Sequence, residues 1–271
     1  MVTKRLISII VILISALALF TLAACSSTSG DAKDPETSKL FVVGFDESYP
    51  PYGFVGEDGK HTGFDLDLAK LIADKEGWEL KLEPINWDSK DALIQSGSIT
   101  CIWNGFTIEG RENDYAFTKP YMLNKQVVVV PKDSDIKTLK DLTSKNVITQ
   151  VNSAALNVLE GDMKDIGDSF ASLQTISDYN SAFMQLNSGV VDAVACDSSI
   201  ADYQMAASSD FRVLEEELSS EHYGVGFDKS NQALADKISE DLAELNTEGK
   251  IEELCKKYEQ YGLSYDNWIL K

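Results

Sequence analysis

Two lobes, each a mostly parallel β-sheet flanked by helices, are the fold that the sequence predicts. Three observations predict it. From Leu40 onward, short β-type runs alternate with helical stretches. The alternation pauses at a continuous β-branched run, Gln126 to Val130 (QVVVV), of the kind a strand buried on both faces uses. It then starts again on the same α/β plan, which argues for two lobes rather than one long sheet. The roughly 230 residues after the first forty are enough for one large core or two smaller ones.

Taken in order, residues 1–24 read as a signal segment. Lys4 and Arg5 precede an apolar stretch, Leu6 to Phe20, that is too short and wrongly flanked for a stable membrane span. Leu22-Ala23-Ala24-Cys25 resembles a bacterial lipobox, in which the cysteine is lipidated, with palmitate among its acyl chains, and becomes the first residue. Residues 25–38 are rich in Ser, Thr, Gly and Asp without apolar period and read as a flexible tether.

Leu40 to Phe45 is a β-type run, followed by a loop with two prolines, Asp46 to Tyr52, and a turn at Glu57 to Lys60. Phe64, Leu68, Leu71 and Ile72 fall at helical spacing, with Asp65, Asp67, Lys70 and Asp74 expected on the solvent side and Gly77 as the stop. Glu79 to Leu82 is a strand, Trp87 sits in the loop after it, Asp88 to Gln95 is a short helix, and Ile99 to Trp103 is a strand. Beyond QVVVV come strands at Val147 to Thr149, Thr175-Ile176, Val190 to Ala195, Arg212 to Leu214 and Tyr223 to Phe227. Helices fall at Ala154 to Glu160, Ala182 to Leu186, around Tyr203 and Met205, and through the tail from Leu234 to Tyr258.

The net charge of −20 makes nucleic acid and anionic lipid headgroups poor partners. The three cysteines beyond Cys25, namely Cys101, Cys196 and Cys255, show no CxxC, and His61 and His222 lack partners at metal-ligand spacing. No metal or cofactor is therefore expected, and the cysteines read as small buried hydrophobes. The sequence leaves a Cys101–Cys196 bridge open.

The stretch richest in chemistry runs from Cys101 to Tyr121. Asn104-Gly105 breaks an apolar run, a hydroxyl follows at Thr107, and a guanidinium follows at Arg111. Arg is the side chain best shaped to hold a carboxylate through two parallel charge-assisted hydrogen bonds. A hydroxyl and a free carbonyl accept from an ammonium, so a small zwitterion would satisfy the whole cluster. The competing expectation is a surface turn whose Arg111 pairs with Glu109, Glu112 or Asp114.

Six segments together resemble the solute-binding lipoproteins of bacterial ABC importers for polar amino acids, relatives of the histidine- and glutamine-binding proteins. They are GFDESYPPYGF (44–54), TGFDLDLAKLIA (62–73), WNGFTIEGRE (103–112), FTKPY (117–121), VVDAVACDSSIADY (190–203) and YGVGF (223–227), in the family's order. The resemblance implies a type II periplasmic-binding-protein clamshell. Lobe 1 would comprise 39–126 plus 223–271 and lobe 2 would comprise 127–222, joined by hinge strands at Gln126 to Val130 and Tyr223 to Phe227. It implies that Arg111 grips the ligand α-carboxylate and Asp197 the α-ammonium, helped by Thr107 and the Gly105 backbone. Tyr49 and Trp87 would flank the ligand, Asp46 would reach its far end, and the turn at Asn152-Ser153-Ala154 would cap the carboxylate.

Asn152 stands where the family commonly has Gly, Glu109 replaces a second Thr, and Thr100 replaces an Asp. Asp46 and the two aromatics tilt the ligand toward glutamine, a basic amino acid or cystine. The implied protein is a monomeric, lipid-anchored receptor outside the membrane that serves an ABC permease and catalyses nothing. A cyclohexadienyl-dehydratase-like enzyme on the same fold, and a surface sensor or adhesin, are the alternatives.

Overall fold

The structure, a computed structural model, describes residues 39–271. The signal segment, the tether and Cys25 lie outside the described residues. The chain enters through β1 (Leu40–Phe45), buried from Phe41 onward. A small antiparallel sheet follows, made of β2 (Ser48–Tyr49), β3 (Gly53–Val55) and β4 (His61–Thr62), with a cis peptide at Pro50-Pro51. Helix α1 (Phe64–Glu76) buries Phe64, Leu68 and Ile72, and Gly77 closes it in the left-handed conformation. Asp65 departs from expectation: it is fully buried, because its carboxylate accepts the Gly105 N–H and the Tyr121 hydroxyl.

Next come β5 (Glu79–Pro84), a single 3₁₀ turn at Trp87–Ser89, α2 (Lys90–Gln95), β6 (Cys101–Ile102) and β7 (Tyr115–Phe117). The long β8 (Met122–Pro131) then leads to β9 (Asn146–Gln150), α3 (Ala154–Glu160), α4 (Lys164–Gly167), β10 (Ser172–Ile176) and α5 (Tyr179–Asn187). After these come β11 (Ala193–Asp197), α6 (Ser198–Ala207), β12 (Phe211–Val213), β13 (Ser219–Tyr223), β14 (Gly226–Asp228), α7 (Gln232–Thr247) and α8 (Lys250–Tyr258).

Two main sheets result. The first has the order β5-β1-β6-β14-β7 and the second β10-β9-β11-β8-β12, with β13 also on β8. Each is parallel at one end, at β5/β1/β6 and at β10/β9/β11. Each is antiparallel where the chain passes from one sheet to the other, at β14 and at β8. The valines of β8 are buried on both faces: Val127 and Val129 join one apolar cluster, Val128 and Val130 another.

The chain crosses into the second sheet along Thr118 to Tyr121 and returns through Gly224-Val225. The crossings hold each other: Thr118 N–H donates to the Val225 carbonyl (3.1 Å), Val225 N–H to Thr118 Oγ1 (3.0 Å), and Tyr121 N–H to the Tyr223 carbonyl (2.9 Å). Gln126 to Val130 therefore lies inside the second sheet, and Tyr223 to Phe227 is divided between β13, the crossing and β14. Cys101 and Cys196 are buried free thiols in strands of different sheets, so the bridge left open by the sequence is not formed.

Candidate functional site

Between the two sheets lies a cleft lined by Tyr49, Trp87, Gly105, Thr107, Arg111, Ser153 and Asp197, seven of the eight ligand-binding residues expected from the sequence. They come from elements far apart in the chain. Tyr49 sits on β2, Trp87 opens the 3₁₀ turn, Ser153 caps α3, and Asp197 ends β11. Gly105 to Arg111 form the loop after β6.

Gly105 has φ 59°, and a Cβ there would meet the rings of Tyr223, Tyr49 and Tyr52 at 3.1–3.2 Å. Its N–H donates to Asp65 Oδ2 at 2.6 Å, which pins the loop to α1. Burial pushes the Asp65 carboxyl up to about 7.

Arg111 is 6 % exposed. Its Nη1 donates to the Thr107 carbonyl and its Nη2 to the Asn152 carbonyl, both at 3.1 Å, and the guanidinium lies 4.9 Å from the Phe106 ring centre. The expected surface pairing is absent: among the described residues no carboxylate forms an ion pair with Arg111, and Glu109 pairs with His222 instead (2.6 Å). Asn152 adopts φ 53°, the left-handed conformation that glycine would take more easily. Its side-chain amide donates to Asp88 Oδ1 at 2.7 Å. Ser153 Oγ accepts the Leu156 N–H (3.1 Å) and so caps α3 at the cleft wall.

The opposite pole is acidic. Asp197, 4 % exposed, accepts from Asn124 Nδ2, Gln126 Nε2 and the Tyr223 hydroxyl at 2.8, 2.8 and 2.9 Å. Burial raises its pKa, against the lowering influence of the Tyr49, Tyr223 and Gln126 donors. Glu221 on β13 was not foreseen. It is 2 % exposed and takes the Thr107 hydroxyl at 2.7 Å. Burial and the Asp197 charge push it up to about 7.

Asn124 and Gln126 were missed as well, although a signal existed. They are buried amides at alternate positions of one strand, flanking the exposed Lys125 and on the face opposite to it, where only a polar partner explains them. Phe106 and Gln150 also line the cleft without having been foreseen, and Ala154 joins them from the turn expected to cap the carboxylate.

Asp46 stands apart from the other seven. Its Oδ1 accepts the Ser48 N–H (2.8 Å), and its Oδ2 accepts the amide of the cleft residue Gln150 (2.6 Å), which ties the first sheet to the second. Trp87 packs edge-on against Phe106, with ring centres 5.5 Å apart. Behind it Lys90, 3 % exposed, is pushed down to about 8 by burial.

The family model for bacterial extracellular solute-binding proteins, family 3, matches residues 41–261. The chain is 29 % identical over 221 residues to the L-cystine-binding protein TcyJ of Escherichia coli, covering 80 % of this chain and 81 % of that one. It is 25 % identical over 253 residues to the arginine-binding extracellular protein ArtP of Bacillus subtilis, covering 92 % and 96 %. Among solved structures it resembles an ABC uptake transporter substrate-binding protein of Streptococcus pneumoniae with bound histidine. That match has a TM-score of 0.78 and 32 % identity, covering 81 % of this chain and 92 % of that one.

Proposed function

The chain belongs to the bacterial extracellular solute-binding proteins of family 3, and from that premise we propose that it binds a polar L-amino acid between its two sheets and delivers it to an ABC import permease. One observation carries the reading. The cleft buries a guanidinium without a carboxylate, at Arg111, and a carboxylate without a cation, at Asp197. An unpaired buried charge costs several kcal/mol, so opposite charges left open on facing walls call for a ligand that brings both missing partners. An amino-acid zwitterion does so: Arg111 takes the α-carboxylate, beside the α3 cap at Ser153. Asp197 takes the α-ammonium, with Thr107 and the Gly105 backbone alongside.

Trp87 and Tyr49 border the ligand side chain, and the Asp46–Gln150 pair offers an acceptor and an amide to its far end. That favours glutamine, a basic amino acid or cystine, and relatives named for cystine, arginine and histidine support a polar side chain. The chemistry is capture and release, with no catalytic step. Attachment through a lipidated Cys25 and a monomeric state complete the proposal. Among the described residues no helix is long and apolar enough to cross a membrane.

The test is the melting temperature of the full chain in detergent, refolded from denaturant to strip carried-over ligand, against each L-amino acid, cystine and prephenate. Ligand at 100 times its Kd stabilises by about 2.7 kcal/mol, roughly 5–10 °C for a domain of this size. Arg111→Ala should lose the shift while keeping a cooperative melt. A flat response to every amino acid removes the receptor reading, and a shift with prephenate alone moves the protein to the dehydratase class.

A further inference from the structure

Asp197 and Glu221 share their donors, and none of the donors is a cation. The Asn124 amide gives one hydrogen to Asp197 Oδ1 (2.8 Å) and the other to Glu221 Oε1 (2.6 Å). The Gln126 amide does the same at 2.8 Å each. A hydroxyl completes each side, Tyr223 on Asp197 and Thr107 on Glu221.

Among the described residues no Lys, Arg or His forms an ion pair with either acid. The other groups around them bring no positive charge. Tyr49 from β2 and Tyr223 from β13 itself are neutral phenols that burial holds far above their ordinary range. His222, next along β13, turns outward to Glu109. Arg111 comes near only through the Thr107 carbonyl.

Two full charges this close and this buried repel each other without compensation, so one of them keeps a proton until a cation arrives. Asp197 is the better anion, because it stands at the N-cap of the ten-residue helix α6, where the helix dipole favours negative charge. Glu221 has no such support. Its donors all converge on Oε1, which leaves Oε2 as the oxygen that carries the proton.

We propose that Glu221 is a second carboxylate of the ammonium pole and that it gives up a proton to solvent when the ligand ammonium binds. The step balances: a neutral carboxylic acid meets R–NH₃⁺, one O–H bond breaks, the proton leaves to water, and the carboxylate remains beside the ammonium. The proposal rests on the amino-acid receptor reading. It adds that the site selects for a full positive charge at the α-position, against α-hydroxy and α-keto acids of the same shape.

The experiment is titration calorimetry of the full chain with L-arginine, L-glutamine and L-cystine, whose α-ammonium groups stay essentially protonated between about pH 5 and 7. It is run in buffers of different ionisation enthalpy, so that the proton count is read directly. Near pH 6.5 the chain should release about half a proton or more per ligand, with affinity falling by up to about tenfold per pH unit below 7. Glu221→Gln should bind about tenfold more weakly at pH 8, release almost no proton and lose the pH dependence.

Binding without proton release, or release that survives in Glu221→Gln, overturns the proposal and leaves the receptor intact. No binding of any of the three probes, together with a flat melting screen, removes both. Should Glu221→Gln fail to fold, glutamate-labelled wild-type chain replaces it. A glutamate carboxyl carbon titrating near 7 without ligand and well below 7 with it supports the proposal, and its absence overturns it.

Discussion

Asp65 lies at a position that helical spacing puts toward solvent, yet it is fully buried, and its burden falls on the folded state alone. The folded protein holds the Asp65 proton up to about 7, whereas the free side chain releases it near 3.8. Between those values the folded state binds more protons than the unfolded state, so stability must fall as pH rises. The fall from Asp65 is up to about 1.4 kcal/mol per pH unit. Glu221, Asp197 and Asp46 are shifted in the same direction by burial. The carboxylates shifted downward, including Asp58, Asp141 and Glu244, sit at the surface, where hydrogen bonds hold them below the usual carboxylate range. The urea midpoint of the ligand-free chain is therefore expected to be higher at pH 5.5 than at pH 7. Asp65→Asn, which keeps an acceptor for the Gly105 N–H, should flatten that slope. A midpoint that rises with pH over this window would rule out a protonated Asp65.

At the scale of elements, the loop after β6 shows what the sequence discloses and what it withholds. The break at Asn104-Gly105, the hydroxyl at Thr107 and the guanidinium at Arg111 are legible because each residue type carries its chemistry wherever the backbone takes it. Helix α1 is legible because Phe64, Leu68 and Ile72 repeat with the helical period and Gly77 stops them. The small sheet of β2, β3 and β4 is not, since strands of two or three residues are too short to display an alternation.

Glu221 is hidden for a different reason. It sits in the acidic stretch Glu215 to Glu221, and only the pairing of β13 with β8 brings it opposite Asn124. The hinge crossings, likewise, depend on which strand each residue pairs with, and local composition does not report that. The loop makes a direct prediction: Gly105→Ala forces a Cβ against three tyrosine rings at φ 59°. It should cost about 1–2 kcal/mol of stability, through the left-handed backbone and the displaced rings, and should weaken ligand binding as well. Denaturant unfolding and calorimetry of this variant check both, and an unchanged midpoint would mean that the loop yields freely.

For the whole molecule the question is what holds the two sheets closed around the cleft. Three contacts bridge them without needing a ligand: Gln150 to Asp46, Arg111 to the Asn152 carbonyl, and Asn152 to Asp88. The first two involve residues that line the cleft, but Asp88 does not. A ligand that binds only the closed arrangement has its apparent affinity scaled by the closed fraction. Weakening a bridge that never touches the ligand must therefore lower affinity through closure alone. A single such hydrogen bond is worth about 0.5–1.5 kcal/mol, so Asp88→Ala should lower affinity by about three- to tenfold. The loss should appear mainly as faster dissociation, while the stability of the ligand-free chain stays within about 0.5 kcal/mol of wild type, as expected for an exposed side chain. Stopped-flow binding separates the rates. If dissociation were unchanged, the Asp88–Asn152 contact would be a passenger of closure, and the hold on the ligand would reside in Arg111 and the carboxylate pole.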